Sequence, residues 1–425
     1  MFQDLEQVER FFKERRAFGI KPGLTRMYNL LESQSNPHLN FKAIHIAGTN
    51  GKGSTLTFIK NALQKNNYKV GVFTSPSLTG YTGHMLIDDK PIGEENFLRL
   101  LNQLLPAIQN LDVLDMHPTE FEIITTIAFM YFNEKIDIAI IEAGMGGRED
   151  TTNCIRPILS IITNIAMDHA NYLGGSLEKI AYQKAGIIKQ DVPTVVGKVD
   201  YPCFSIIEKE ASNKNSIIYC LEKDFFYDEV SNIKDKQTFR WYHDKLRIPI
   251  EIKMKGMHQI ENSSVALMAL KILQDLAFPL DRENVLESFR SSQLAGRFEK
   301  IYDKPEIILD GAHNSDGMAA FLNTVHNLYK HRRKHLVFAG FHDKDLTNML
   351  KMALPYFDTV TVTTFDHPRA EKVENIIKNL SERISVASWK EKVDLILEQG
   401  ELDQHYFFAG SLTFIGLIRD YITNN

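Results

Sequence analysis

The stretch "AIHIAGTNGKGSTLTFI", Ala43 to Ile59, decides how the chain is read. It opens as an apolar strand ending at Ala47, turns through Gly48, Gly51 and Gly53, and continues as a helix whose apolar face includes Leu56, Ile59 and Leu63. Glycines let backbone N–H groups turn inward on an anion, and the start of a helix adds positive potential. Lys52 is spaced to reach the outer phosphates of a nucleotide, and Ser54 or Thr55 to approach an accompanying Mg²⁺. The spacing departs from G-x-x-x-x-G-K-[ST], and the dinucleotide pattern G-x-G-x-x-G is absent, so the turn reads as a nucleoside triphosphate site.

Outward from this turn, short runs rich in Ile, Val and Phe alternate with segments of helical period: "KVGVFTSP", two helices, "IDIAIIEAG", "ILSIITNIA", a helix, "VPTVVGK". Strands so uniformly apolar and so separated predict a parallel sheet covered on both faces. From Thr238 to Met254 the pattern changes to strand-like alternation, which predicts a hairpin at the edge of this first domain. Strand-helix alternation restarts at "EIILDGAHN" and runs through "HLVFAG", "TVTVTTF", "ISVAS" and "YFFAG", predicting a smaller five-stranded, Rossmann-like α/β domain. The boundary is placed near Gly296, giving domains 1–296 and 297–425.

The bulk composition narrows the partners. With 425 residues, two domains are the default. The 49 basic and 54 acidic side chains give a formal charge of −5, which argues against constitutive binding to nucleic acid or an anionic membrane. Cys154, Cys203 and Cys220 show no metal-binding or C-x-x-C spacing, and a reducing cytoplasm fits them. Met1 to Arg16 is charged and amphipathic, and no apolar run approaches the roughly 20 residues needed to span a bilayer. Small-molecule partners and a monomer are expected.

Ligands in open α/β sheets bind beyond the carboxyl ends of the strands, and the unusual polar residues gather there. "IDIAIIEAGMGGREDTTN" drives a strand into Glu142, an acid suited to a Mg²⁺ that takes few protein carboxylates and several phosphate or water oxygens. The next strand delivers Asp168 and His169. In "SLEKIAYQKAGIIK", Leu177, Ile180, Ala181, Lys184 and Ile188 share one helical face, which places Lys184 among apolar residues and leaves Lys179 and Lys189 outside that series. Burial would lower the pKa of Lys184 and favour its neutral amine, although a snorkelling lysine accounts for the same pattern. The basic run "KHRRKH", Lys330 to His335, reads as a solvated helix end.

"GTNGKGS" resembles the phosphate loop of the folylpolyglutamate synthase and dihydrofolate synthase family, within the Mur ligase superfamily. "EAGMGGREDTTN", "DHANYLG" and "YQKAGIIK" resemble three further motifs of that family in their usual order. The resemblance implies ATP binding by Thr49, Asn50, Gly51, Lys52, Gly53 and Ser54, Mg²⁺ ligation by Glu142 and His169, and a carbamylated lysine at Lys184. It extends through "TSPSL", where Ser75 would complete the magnesium shell, and "HPTEFEIITT", where Thr119, Glu120, Phe121 and Glu122 would line a pteroate site. Glu149, Asp150 and Thr151 form a second candidate lining. Asn262 and Arg297 would contact the nucleotide, Asp310 and His313 would complete the reaction site from the second domain, and Ser411 would meet the incoming amino acid. After Ser75 the chain departs from the family, with Ser77 and "GYTGHMLID" where relatives carry a histidine and an E-R-I triplet.

The activity implied is an ATP- and Mg²⁺-dependent ligase that joins L-glutamate to the γ-carboxylate of a reduced folate, with dihydropteroate as a further acceptor. An acyl phosphate would be the intermediate, Lys52, His169, Lys184, Asp310 and His313 the catalytic group, and closure of the two domains the means of excluding water. A cell-wall Mur ligase, a P-loop kinase and a non-catalytic nucleotide-binding module are the alternatives.

Overall fold

The structure is a computed structural model that describes residues 1–19, 21–77, 80–168, 170–233, 235–378, 380 and 384–424. The chain divides into two compact units, one comprising residues 1–231, 238–251 and 261–292, the other residues 232–237, 252–260 and 293–425.

The first unit is built on an eight-stranded sheet. Its strands are β1 (Ala43–Ala47), β2 (Val70–Phe73), β3 (Met85–Ile87), β4 (Lys90–Pro91), β5 (Ile138–Glu142), β6 (Leu159–Ile162), β7 (Thr194–Val196) and β8 (Ile218–Cys220), in the order β4-β3-β2-β5-β1-β6-β7-β8. From β2 to β8 every pairing in that order is parallel, and β3 and β4 add an antiparallel edge. Every residue of β1, β2, β5 and β6 is buried, as strands covered on both faces require. On one face Phe73, Ala139 and Ile141 join Leu104, Ile127 and Phe129 of the helices Glu94–Val113 and Glu120–Phe132. The helix Lys52–Lys65 buries Leu56, Ile59 and Leu63, as their spacing requires, and stacks its Phe58 on Phe289, ring centroids 4.9 Å apart.

The alternating segment after Thr238 forms the expected hairpin, two neighbouring strands joined by a two-residue turn, and a preceding strand extends it into a three-stranded sheet. β9 (Phe225–Ile233), β10 (Lys236–His243) and β11 (Leu246–Ile252) lie in the order β11-β10-β9. β9 escapes a sequence reading because it is exposed from Asp228 onward, so no apolar alternation marks it.

The second unit has six strands where five were expected. They are β12 (Glu299–Asp303), β13 (Glu306–Asp310), β14 (Arg333–Phe338), β15 (Thr359–Val362), β16 (Ile384–Val386) and β17 (Gln404–Ala409), in the order β12-β13-β17-β14-β15-β16. Neighbours from β13 to β16 are parallel, and the additional strand, β12, pairs antiparallel with β13. β12 reads "EKIYD" and has no buried residue, the composition of an edge rather than a core strand. Successive residues divide between the faces: Ile308, Leu336, Phe338 and Phe407 enter one cluster, and Ile307, Leu309, Val337 and Phe408 the other.

Candidate active site

Strand register places the chemistry of the first unit. Ile46 on β1 pairs with Glu142 on β5, Ala47 with Ile162 on β6, and Phe73 at the end of β2 with Ile141. Residues following β1, β2 and β6 therefore emerge around the end of β5, where Glu142 sits. This is the carboxyl edge at which an open parallel sheet takes ligands.

The turn after β1 is locked from beneath by the segment after β6. Asn164 accepts the backbone N–H of Thr49 through its carbonyl (3.2 Å) and that of Asn50 through its side chain (2.8 Å). Thr49 Oγ1 and the backbone of Ala166 exchange hydrogen bonds of 3.0 and 3.1 Å, and Thr163 Oγ1 donates to the Asn50 carbonyl at 2.6 Å. Gly51, with φ +84°, opens the helix Lys52–Lys65, and no side chain caps it. The first N–H groups of a helix have no intrahelical acceptor, so those of Lys52, Gly53 and Ser54 present a ready anion site. A Cβ at Gly51 would lie 2.2 Å from Asn262 Oδ1, which sets Asn262 directly against the loop.

Lys52 folds back over its own turn, its ammonium 3.1 Å from the Gly48 carbonyl, 3.3 Å from that of Thr49 and 3.8 Å from Glu142 Oε1. Thr74 donates to Glu142 Oε2 at 2.5 Å and orients the carboxylate. Ser75 follows at the end of β2. The hydroxyl of Thr55 is buried without a hydrogen-bond partner. Among the described residues no three His, Cys, Asp or Glu converge as a metal cage. The donors at the loop are one carboxylate and several hydroxyls, an all-oxygen set that fits a Mg²⁺ completing its shell with phosphate and water. His169 lies outside the described residues.

Lys184 is the other unusual cation. It sits on the helix Leu177–Ala185, 3% exposed, among Ile180, Ala181 and Ala185. Burial, reinforced by the charge of Lys52 and opposed by Asp168 and Asp150, pushes its pKa down to about 7. Lys189, which the helical period leaves outside the buried face, is drawn in as well: its ammonium donates to the Asn153 carbonyl at 2.8 Å, and burial lowers its pKa to about 8.

The second unit holds a separate constellation at the carboxyl ends of β13 and β17. Asp310 is buried, with its oxygens accepting the N–H groups of Phe298 (2.9 Å) and Ala312 (2.8 Å). Burial raises its pKa against the pull of Arg297, those two N–H groups and His313. A Cβ at Gly311 would lie 2.8 Å from Arg297 Nη1, so the guanidinium packs directly on that turn. His313 Nδ1 is 2.8 Å from the Gly311 carbonyl. Ser411 follows Gly410 (φ +114°) at the end of β17, and its buried hydroxyl has no hydrogen-bond partner.

Residues 46–270 match the Mur ligase middle domain and residues 296–412 the Mur ligase glutamate ligase domain. The chain is 34% identical to a Bacillus subtilis dihydrofolate synthase/folylpolyglutamate synthase over 99% of both chains. The chain belongs to the dihydrofolate synthase and folylpolyglutamate synthase family. A Lacticaseibacillus casei folylpolyglutamate synthase is 30% identical over 93% of both chains. Among solved structures, a Mycobacterium tuberculosis folylpolyglutamate synthase complexed with ADP and AMPPCP superposes with a TM-score of 0.88 at 27% identity, covering 99% of this chain and 98% of that one.

Against this family background, the residues singled out for a pteroate site divide. Thr119 caps the helix Glu120–Phe132 in a capping box with Glu122, and Glu122 also pairs with Arg26 at 3.0 Å. Both side chains are thus engaged in holding that helix in place. Glu120 pairs with Arg16 at 2.7 Å. Phe121 packs against Gly144, where a Cβ would lie 2.7 Å from its ring, and so forms a wall beside the turn after β5. Asp150 is buried and binds that turn internally, Thr151 shares a 2.9 Å hydrogen bond with Thr125, and Glu149 is exposed.

Sequence reasoning passed over Thr74 and Asn164. Thr74 could have been found as the polar residue closing the strand "KVGVF". Nothing in the sequence pairs Asn164 with Asn50, since that contact spans 114 positions.

Proposed function

We propose that the chain is an ATP-dependent ligase that forms the amide between the amine of L-glutamate and the γ-carboxylate of a reduced folate. The observation that carries this reading is the set of groups at one sheet edge, an uncapped phosphate-type helix start with Lys52, Glu142 and Lys184 around it, in a chain similar over its full length to enzymes of that name.

A carboxylate does not acylate an amine unaided. In the proposed reaction an oxygen of the γ-carboxylate attacks the γ-phosphorus of ATP, the bond to the β-γ bridging oxygen breaks, and ADP leaves. The glutamate amine adds to the acyl phosphate, inorganic phosphate departs, and the amine gives up a proton. The N–H groups of Lys52, Gly53 and Ser54 and the Lys52 ammonium bind the phosphates and offset the charge that develops during transfer. Thr49 and Asn50 shape the loop through Asn164, and Asn262, which lies against Gly51, would contact the nucleotide. Glu142 would hold Mg²⁺, with Ser75 and His169 as the further ligands that the family resemblance supplies; when bound, the cation neutralises phosphate charge. The neutral amine of Lys184 would add to CO₂, losing a proton to become a carbamate, which replaces a buried cation by an anion able to orient neighbouring polar groups. Phe121 and the Asp150–Thr151 turn are the proposed pteroate wall. Arg297, Asp310, His313 and Ser411 are the second unit's proposed contributors, Ser411 for the amino acid.

The relatives carry both synthase names, so dihydropteroate belongs among the proposed acceptors. A cytoplasmic monomer is also proposed: the three cysteines are free and buried, and among the described residues no helix is long and apolar enough to cross a membrane. The test is ADP release with Mg·ATP against tetrahydrofolate, dihydropteroate or neither, each with and without L-glutamate, with product masses recorded. Glutamate-dependent turnover that adds one glutamyl unit to tetrahydrofolate is expected. ATP binding with no turnover in any combination would overturn the proposal.

A further inference from the structure

His45 occupies the middle of β1, in the run "AIHIA" whose neighbours are all apolar, and it is fully buried. A polar ring in that position is costly without a partner. Its Nε2 lies 2.8 Å from Thr152 Oγ1, and Thr152 Oγ1 lies 2.5 Å from Asp150 Oδ1. The same carboxylate accepts the N–H of Thr152 at 3.0 Å and that of Met145 at 2.7 Å.

These contacts fix the direction of the chain. A hydroxyl has one proton to give. If Thr152 gave it to His45, the imidazole would carry its own proton on Nδ1, which has no hydrogen-bond partner, and a buried N–H would be orphaned. With Thr152 donating to Asp150 and His45 Nε2–H donating to Thr152, only a bare lone pair is left in the apolar strand. Burial also keeps the ring neutral, with a pKa near 3. The carboxylate at the end of this relay joins the segment leaving β5 to the turn Thr151–Cys154. Gly144, which carries the Phe121 wall, lies between Glu142 and Met145.

We propose that His45 is a positioning residue for the folate substrate, acting through Thr152 and Asp150 to hold the Gly144–Thr152 turn in its binding arrangement. This rests on the ligase reading above. Its test uses His45→Leu and Thr152→Val, which delete the donors, against His45→Gln and Thr152→Ser, which keep one. KM for tetrahydrofolate is expected to rise about tenfold in the deletion variants, the loss usual when one partner of a buried hydrogen bond is removed. KM for ATP should stay within about twofold, and the His45→Leu/Thr152→Val double variant should be no worse than Thr152→Val alone, because both act on one relay. The donor-keeping variants should recover most of the loss.

Long-range ¹H–¹⁵N spectra of histidine-labelled protein, with His45→Gln assigning the signal, should show Nε2 protonated and Nδ1 bare. A proton on Nδ1 overturns the relay whatever the activity. Independent, multiplying effects in the double variant overturn it as well, as does an equal rise of every KM or a folded His45→Leu protein with unchanged folate KM. If His45→Leu does not fold, the Thr152 pair decides. A wild-type protein without folate-dependent turnover sinks the ligase reading, while the spectra still report on the relay.

Discussion

Lys52 Nζ stands 3.8 Å from Glu142 Oε1, near enough for attraction and beyond hydrogen-bond range, while Thr74 holds the other carboxylate oxygen at 2.5 Å. The carboxylate is thus aimed by a neutral hydroxyl and faces a cation that can turn toward phosphate.

Thr74→Val keeps the shape of the strand end and removes that hydroxyl. Partners that orient a metal ligand typically contribute about 10–100-fold, so KM for Mg²⁺ in ATP-dependent turnover should rise by about tenfold or more. Thr74→Ser should stay close to wild type. Magnesium titrations of initial rate check this, and an unchanged Mg²⁺ requirement in Thr74→Val would remove Glu142 from the metal site.

Gly48 leaves no room for a side chain: a Cβ there would lie 1.8 Å from Thr163 Oγ1, which itself donates to the Asn50 carbonyl. Gly48→Ala must therefore displace the hydroxyl that pins the phosphate loop. Overpacking of this kind costs roughly 1–3 kcal/mol, and ATP affinity should fall with it. Thr163→Ala loses the pin but makes room, so Gly48→Ala/Thr163→Ala should be more stable than additivity of the two single changes allows. Denaturant midpoints of the four proteins measure this coupling.

Such contacts explain what the sequence could and could not convey. The strand into Gly48, the strand into Glu142 and the burial of Lys184 were legible because each is written as local periodicity. The capping box of Thr119 and Glu122 was legible too, as T-x-x-E before an apolar run, and reading "TEFE" as a substrate lining passed over that signal. β12 and β9 were not legible because exposed edge strands carry no apolar alternation. The partners of His45, Asn50 and Glu142 were hidden for another reason: each lies 68 to 114 positions away and is brought close only by the order of the strands in the sheet, so sequence distance says nothing about proximity.

Lys184 gives a pH dependence with a defined sign. Its pKa falls from the ordinary 10.5 to about 7 in the folded protein, so the unfolded chain binds its proton more tightly. Below pH 7 both states are charged and the burial cost is largest; above it the folded amine is neutral, and the cost shrinks as pH rises toward 10.5. Lys184→Met should melt higher than wild type by several degrees at pH 6–7 in CO₂-free buffer, and this advantage should narrow by pH 9. It should also abolish turnover. In the wild type, added bicarbonate should restore activity lost on CO₂ depletion at pH 8 more fully than at pH 6, where the amine is protonated. Calorimetry and ADP release test the two halves separately, and a Lys184→Met protein that melts below wild type would mean the ammonium is paired rather than merely buried.

Ser411 separates binding from stability most cleanly. Its hydroxyl is buried at the end of β17 with no hydrogen-bond partner, a state that costs free energy until something fills it. Removing the hydroxyl therefore breaks no intramolecular bond, and Ser411→Ala should leave the melting temperature unchanged or slightly higher. If the hydroxyl meets the incoming amino acid, the same change should raise KM for L-glutamate about tenfold, the discrimination of one buried hydrogen bond, with KM for ATP and folate nearly constant. Initial rates over a glutamate series, with the other substrates saturating, give the answer. A Ser411→Ala enzyme with wild-type glutamate dependence would place the amino-acid site elsewhere in the second unit and leave the hydroxyl as an unmet polar group of its core.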